Sequence, residues 1–268
     1  MGIMNAVEPQ TEFGAQEKSR NVALLLWGAA IVGVLAGVVF TAFPEIDTRT
    51  AAFFYKGDGV FVGKGGGIYS GTATTIADVI RLTLYISFVG FCVLTVCGLA
   101  ASVLRKRASF GLTAPKWLFL SACLAIGPGI VANTILKDNW GRARPVHLVE
   151  FGGTKTYTPP LKPSKQCEKN CSFVAGEASM AYTAFFAAAF LFAGMGGRLI
   201  LAGALCGLFS GLVRMSQGAH FLSDVIFAGV FMAATVAGIY LLFGLISRTG
   251  KADPSTDLPN PLARWCSW

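Results

Sequence analysis

Apolar residues run through this chain in long blocks, broken by short polar stretches. Six blocks predict membrane-spanning helices at about Asn21–Phe43, Leu82–Leu104, Trp117–Leu136, Ala178–Met195, Leu199–Val213 and Val225–Ile246. A span needs about 20 residues to cross the hydrocarbon core. The fifth block is short and is expected to continue through Arg214 and Met215 toward the interface. The fourth and fifth are separated only by Gly196-Gly197-Arg198, which reads as a tight helical hairpin. The expectation is an all-α, polytopic membrane protein with six transmembrane helices.

Polar stretches set the orientation. Lys18 and Arg20 precede the first block, Arg105, Lys106, Arg107 and Lys116 separate the second from the third, and Arg198 separates the fourth from the fifth. Arg248, Lys251 and Arg264 follow the sixth. The positive-inside rule puts both termini and these loops in the cytoplasm. The remaining connections then face the exterior. Residues 1–20 are expected to be a loose or interfacial cytoplasmic segment, 21–247 the membrane domain, and 248–268 a cytoplasmic tail in which Trp265 and Trp268 rest at the interface. The first block is too long, and its flanks too unlike a cleavage site, for a removed signal peptide.

Composition agrees with this picture. The chain is 54% hydrophobic and 13% charged, with mean hydropathy +0.60, whereas a soluble domain carries roughly a quarter charged residues. The formal charge of +8 raises nucleic acid as a partner, but no basic stripe is interleaved with aromatics. Nucleic acid is rejected. The bilayer itself is the expected partner.

Two exterior segments carry further signals. Pro44–Asp78 contains Phe53-Phe54-Tyr55 and a glycine cluster at Gly63, Gly65, Gly66 and Gly67, read as an amphipathic piece on the membrane followed by a flexible turn. Val146–Asn170, with Pro159, Pro160 and Pro163, is long enough to be a lid or recognition surface. Cys167 and Cys171 end that loop. In an oxidising compartment they close a short disulfide; the rival reading, a metal pair, lacks further Cys or His ligands nearby. Cys92, Cys97, Cys123 and Cys206 lie inside spans as apolar filler, and Cys266 in the tail is uninformative.

Three separated blocks carry chemistry. The first, Lys137-Asp138-Asn139-Trp140-Gly141-Arg142-Ala143-Arg144-Pro145, places three cations at the outer end of the third span. Arginine's planar fork matches phosphate oxygens, and lysine adds a compact charge. The third block, Arg214 through Asp224, contains His220, one of two histidines beside His147. His220 and Asp224 are four apart, so on a helix they share a face. A carboxylate that accepts from one imidazole nitrogen leaves the other free to attack. Ionisable groups at the edge of a membrane span are costly and read as functional.

The spacings Lys137-x6-Arg144-Pro145 and Arg214-x5-His220-x3-Asp224 resemble the type 2 phosphatidic acid phosphatase superfamily, which includes vanadium haloperoxidases and bacterial lipid phosphatases. The likeness runs from about Pro44 to Ile246. It implies a six-helix core with an exterior site, where Lys137, Arg144 and Arg214 hold the phosphate, His220 attacks phosphorus, and Asp224 orients it. Arg142 is a secondary candidate. Between these blocks the family pattern reads Pro-Ser-Gly-His, and this chain reads Val174-Ala175-Gly176-Glu177. Ala175 lacks the serine hydroxyl, although backbone amides around Ala175 and Gly176 could bind an anion at a helix N-terminus. Glu177 stands where the family histidine protonates the leaving group, and a neutral carboxyl is needed there. Cys-Ser-Phe-Val-x-Gly-acid-Ala-Ser resembles the branch that includes lipid A 4′-phosphatases.

The resemblance implies a lipid phosphatase on the periplasmic face of a bacterial inner membrane, with lipid A as the favoured substrate and no cofactor or metal. Phosphatidylglycerophosphate and undecaprenyl pyrophosphate remain open as substrates. A non-catalytic lipid-phosphate binder and a lipid phosphotransferase are the readings from other classes.

Overall fold

The structure, a computed structural model, describes residues 8–63 and 75–249, and side chains over 14–63 and 75–246. Gly65–Gly67 and the tail from Gly250, with Trp265, Cys266 and Trp268, lie outside the described residues. The elements in order are helix α1 (Glu8–Ala42), helix α2 (Glu45–Ala52), the hairpin strands β1 (Tyr55–Gly57) and β2 (Val60–Phe61), and helix α3 (Ile76–Arg105). Helix α4 (Ala114–Leu124) passes into a π-helical segment (Ala125–Lys137), followed by α5 (Gly176–Ala188), α6 (Gly196–Ser216) and α7 (Leu222–Thr249). The protein is a helical, multi-pass membrane protein.

Five helical stretches are long and apolar enough to cross a membrane: Gly14–Ala42, Ile76–Arg105, Ala114–Lys137, Gly196–Ser216 and Leu222–Ile246. The fourth expected span is the exception. Helix α5 has 13 residues, about 20 Å at 1.5 Å per residue, short of the hydrocarbon core. It survives because it is walled in rather than lipid-facing: Ala178, Ser179, Tyr182, Thr183, Phe186 and Ala187 are buried. Its apolar continuation, residues 189–195, is turn rather than helix. So the hairpin is not Gly196-Gly197-Arg198, which instead form the first turn of α6.

Helix α1 explains that turn. Its carboxylate Glu17 accepts from Gly194 N (2.6 Å) and Gly196 N (2.9 Å), and Asn21 donates to Ala189 O at 3.0 Å. These bonds satisfy backbone groups that the end of α5 and the start of α6 leave open. The described part of the N-terminal segment is therefore helical and docked through Glu17, not loose. Helix α7 runs through the middle of the bundle, against α1, α5, α6 and the α4–π helix. Phe119, Phe190, Tyr240 and Phe243 meet edge-to-face and stacked in its core.

Two local features place the site. Pro128 removes a backbone donor inside the third span, the helix widens to the π form, and Asn133 Nδ2 bonds the Pro128 carbonyl at 2.7 Å. π-Segments are often found at functional sites, and this one ends on Lys137. At the end of the bundle that carries the three blocks lie α2 and the hairpin, expected as an amphipathic piece. They pack over the bundle's end through a small core of Ala51, Phe61, Ala143, Leu148, Phe151 and Phe221. The reason is a carboxylate: Asp47 of α2 is fully buried, and its partner lies in the first block.

Candidate active site

The first block leaves the π-helix at Lys137 and turns at Gly141, whose φ of +70° suits glycine. A side chain there would also strike Ser164 O, at 1.8 Å from a Cβ. The two arginines beyond this turn have different fates. Arg142 is fully buried. Its Nε donates to Thr158 O (2.8 Å), Nη1 to Ser223 Oγ (2.9 Å) and Asp224 Oδ1, and Nη2 to Asp47 Oδ2 (2.8 Å) and Tyr157 Oη (3.2 Å). All five donors of the fork are used. Its guanidinium also lies over the Phe221 ring, 4.4 Å from the centroid. Burial alone would lower its pKa, yet Asp224, Asp47 and Tyr157 push it above the ordinary value.

Asp47, not singled out by sequence reasoning, completes this network. It accepts from Ser223 N (2.9 Å), Ser223 Oγ and Tyr157 Oη (3.0 Å) as well as Arg142. Burial, then Asp47, raises the Tyr157 pKa, so the phenol remains a donor. The network fixes both ends of Asp224, whose Oδ2 also accepts from Ser172 Oγ and from Phe221 N at 2.8 Å.

His220 lies in the connection before α7 rather than on it, so the helical-face argument for His220 and Asp224 does not apply. Its Nδ1 is 2.7 Å from Ser172 O, and 3.7 Å from Asp224 Oδ2, beyond hydrogen-bond reach. The orienting acceptor is thus the Ser172 carbonyl, while Asp224 holds the Ser172 hydroxyl and acts on the ring as a nearby charge. A carbonyl can only accept, so this bond assigns the proton to Nδ1 and leaves Nε2 with its lone pair. Desolvation first, then the positive charges of Lys137 and Arg144, pull the His220 pKa down to about 3 against the opposing Asp224. The imidazole is neutral. His147 is exposed on the loop that follows the first block.

Lys137 and Arg144 act on His220 as nearby charges, and Arg214 lies close enough to act on both of them. Lys137 reaches the start of α5, where a Cβ on Gly176 would sit 2.9 Å from its Nζ. A side chain at Gly176 would push that ammonium aside. Arg144, half-buried, is held through Asn170: Nη2 donates to Asn170 O (2.8 Å) and Oδ1 (3.0 Å). Arg214, buried at the end of α6, donates from Nη1 to Gln217 Oε1, and Gln217 in turn bonds Asp78 at 2.9 Å. Its Nε has no aligned acceptor, although Glu177 Oε2 lies 2.8 Å away. Glu177 bridges to a further cation missed by sequence reasoning: its Oε1 is 3.0 Å from Arg81 Nε on α3. Each oxygen of this carboxyl thus faces a guanidinium.

The second block positions helix α5. Ala175 is its N-cap, without a side-chain cap bond, and its own amide donates to Asp224 O at 3.2 Å. That amide is therefore not open to an anion. The amides that follow, from Gly176, are the helix-terminal donors with no partner one turn earlier. Cys167 and Cys171 are joined in a disulfide, Cα–Cα 5.7 Å, next to Asn170, which grips Arg144. Trp140 stacks on Phe173 at 5.0 Å and donates to Pro160 O, tying the long loop to the block. Among the described residues, no cluster of three His, Cys, Asp or Glu side chains could hold a metal ion.

Chemically, the arrangement joins a neutral imidazole with one free nitrogen to an arc of cations and helix-terminal amides. The family model described as PAP2 superfamily matches residues 116–247, which contain all three blocks. A protein named lipid A 4′-phosphatase from Francisella tularensis subsp. novicida (strain U112) is 36% identical over 215 residues, covering 79% of this chain and 92% of that protein. A second protein of the same name, from Rhizobium etli (strain ATCC 51251 / DSM 11541 / JCM 21823 / NBRC 15573 / CFN 42), is 31% identical over 222 residues, covering 81% and 82%. No solved structure matches the chain. A likeness of this strength along nearly the whole length of a relative, with a family match that spans the blocks that build the site, makes the chain a member of the PAP2 superfamily.

Proposed function

We propose that this protein is a membrane lipid phosphatase that removes a phosphate monoester from lipid A or a close relative, on the periplasmic face, through a phosphohistidine on His220. The observation that carries the reading is the 2.7 Å contact between His220 Nδ1 and the Ser172 carbonyl, which assigns the tautomer. With Nδ1–H held by Ser172 O, the Nε2 lone pair attacks phosphorus and the lipid oxygen leaves. Lys137, Arg144 and Arg214 then stabilise charge on the phosphoryl oxygens, an electrostatic contribution that preorganised groups make without reorganising. Arg214 Nε, lacking an aligned acceptor, is suited to a phosphate oxygen. The family relatives' names support the lipid and its phosphate.

Glu177 enters this scheme as the proton carrier. A phosphate that takes Arg214 frees Glu177 from one of its two guanidinium partners. Glu177 then receives a proton from solvent or from the substrate monoanion and passes it to the leaving oxygen. Water, deprotonated by the same carboxylate, attacks the phosphohistidine and frees phosphate and Nε2. The absent serine at Ala175 costs about one charged hydrogen bond, 1.5–3 kcal/mol, and slows turnover without preventing it.

The test is phosphate release in detergent from lipid A, phosphatidylglycerophosphate and undecaprenyl pyrophosphate, with His220→Ala as control. Release from lipid A that disappears in the control is expected. Release from another lipid alone would replace the substrate, and release by His220→Ala would remove the mechanism.

A further inference from the structure

Helix α3 reaches Arg214 from two sides. The end of α6 that carries Arg214 is itself fixed: the backbone amide of Gly63 donates to Ser216 O (2.8 Å), and that of Gln217 to Arg214 O (3.3 Å). Gln217, which follows α6, is buried. Its side-chain Oε1 accepts from Arg214 Nη1, and its Nε2 donates to Asp78 Oδ1 at 2.9 Å. Asp78 lies in the first turn of α3 and divides its oxygens. Oδ2 closes the helix cap by accepting from Thr75 N (3.1 Å), while Oδ1 takes Gln217. One turn later on the same face of α3, Arg81 meets Glu177, whose other oxygen is 2.8 Å from Arg214 Nε.

The chemistry of position 217 is narrow. A guanidinium only donates and a carboxylate only accepts, so a side chain that joins them must do both. The same requirement assigns oxygen and nitrogen in the Gln217 amide. Glutamate would set a second carboxylate against Asp78, lysine would set a second cation against Arg214, and leucine would break both bonds. With Nη1 engaged by Gln217, the edge of the guanidinium formed by Nε and Nη2 is the one left for a ligand, and Nε has no aligned acceptor. Such an edge is a planar fork that matches two phosphate oxygens.

We propose that Gln217 is a positioning residue for phosphate binding: anchored on Asp78, its side-chain amide takes Nη1 of Arg214 and keeps the Nε–Nη2 edge turned to the phosphate. The proposal rests on the lipid phosphatase reading, in which Arg214 binds the phosphoryl oxygens. Gln217 itself touches no substrate. Without it Arg214 keeps its charge and loses the aim of its fork, and misplacement by about an ångström costs up to roughly a hundredfold.

The experiment measures Gln217→Leu against its parent twice, once with Arg214 intact and once in an Arg214→Lys background. Lysine keeps the charge but has no edge to orient. With Arg214 intact, Gln217→Leu should lower kcat/KM on lipid A roughly tenfold. It should weaken inorganic phosphate, read from the rise in Tm that phosphate produces, by a similar factor. In the Arg214→Lys background both readouts should change by less than about twofold. Equal losses in the two backgrounds, or no loss in either, would overturn the proposal. If Gln217→Leu does not fold, a paired change carries the same test. Gln217→Glu with Asp78→Asn rebuilds the relay with its second bond reversed, and should recover activity to within about threefold of wild type, while Gln217→Glu alone should not. A pair no better than the single change would also overturn it. Wild type that is silent on lipid A yet binds phosphate in a Gln217-dependent way would remove the phosphatase reading and leave the relay. Wild type that does neither would remove both.

Discussion

Arg142 and Arg144 are two residues apart, share a side chain, and do opposite work. Arg142 is fully buried, with every donor satisfied by Asp47, Asp224, Ser223, Tyr157 and Thr158. Arg144 is half-buried and bound to one asparagine. A guanidinium whose fork is fully used inside the protein has nothing left for a ligand. One with a single exchangeable partner can trade it for phosphate. On the proposed reading the difference separates a scaffold, which freezes Asp224 and the loop carrying His220, from the binding arc to which Arg144 belongs. It teaches that in a cation-rich block the candidate for ligand binding, as proposed for Arg144, is the residue the protein has left unfinished.

The largest effect expected from this comparison is on stability. Arg142→Met leaves Asp47 and Asp224 buried without their cation, and removing one partner of a buried ion pair costs about 3–5 kcal/mol, a large part of a protein's total stability. Thermal melts in detergent should find Arg142→Met unfolded or greatly destabilised, while Arg144→Met melts near wild type. Similar melts would erase the distinction. Next comes catalysis: Arg144→Met should retain its fold and lose about ten- to a hundredfold in kcat/KM, the value of one charged hydrogen bond. An unchanged rate would move Arg144 out of the binding arc.

Much of the arc is legible in the amino-acid sequence, because its members recur at fixed spacings around one histidine. Lys137, Arg144, Arg214 and His220 stand out through those spacings and their place at the ends of apolar blocks. The scaffold does not. Asp47 is 95 residues from Arg142, and in sequence it is an ordinary acid in the first turn of a short helix, a position explained by the helix dipole alone. Arg81 likewise reads as a cation flanking a span. The acceptor for His220 is a backbone carbonyl, which no side-chain pattern reveals. Helix α5 reads as longer than it is because residues 189–195 stay apolar, and the bonds from Glu17 and Asn21 that hold the turn there come from a distant helix.

A smaller effect sharpens the role of Glu177 between scaffold and arc. Glu177→Gln removes the carboxylate that bridges Arg81 and Arg214 and also the proposed proton donor. It should lower kcat on a lipid with a poor leaving group, while a phosphate ester with an acidic leaving group is spared. Equal loss on both esters would leave Glu177 only its bridging role.

The smallest effect is a pH dependence of stability. The folded His220 pKa is about 3 against an ordinary 6.5, so between these values the unfolded chain binds a proton that the folded protein refuses. Stability from this residue is complete above about pH 6.5 and falls as pH drops toward 3. Between pH 7 and 5 wild type should lose about 2 kcal/mol more than His220→Gln. Equal losses would mean that the imidazole is not held neutral.

The central claim is that His220 Nε2 is the nucleophile, and the direct measurement is a rapid acid-free quench of the enzyme with lipid A labelled in its phosphate. Peptide mapping should place the label on His220, as an acid-labile, base-stable phosphoramidate at Nε2, and find none in His220→Asn. Label on a hydroxyl or on Nδ1, or turnover that persists in His220→Asn, would contradict the account.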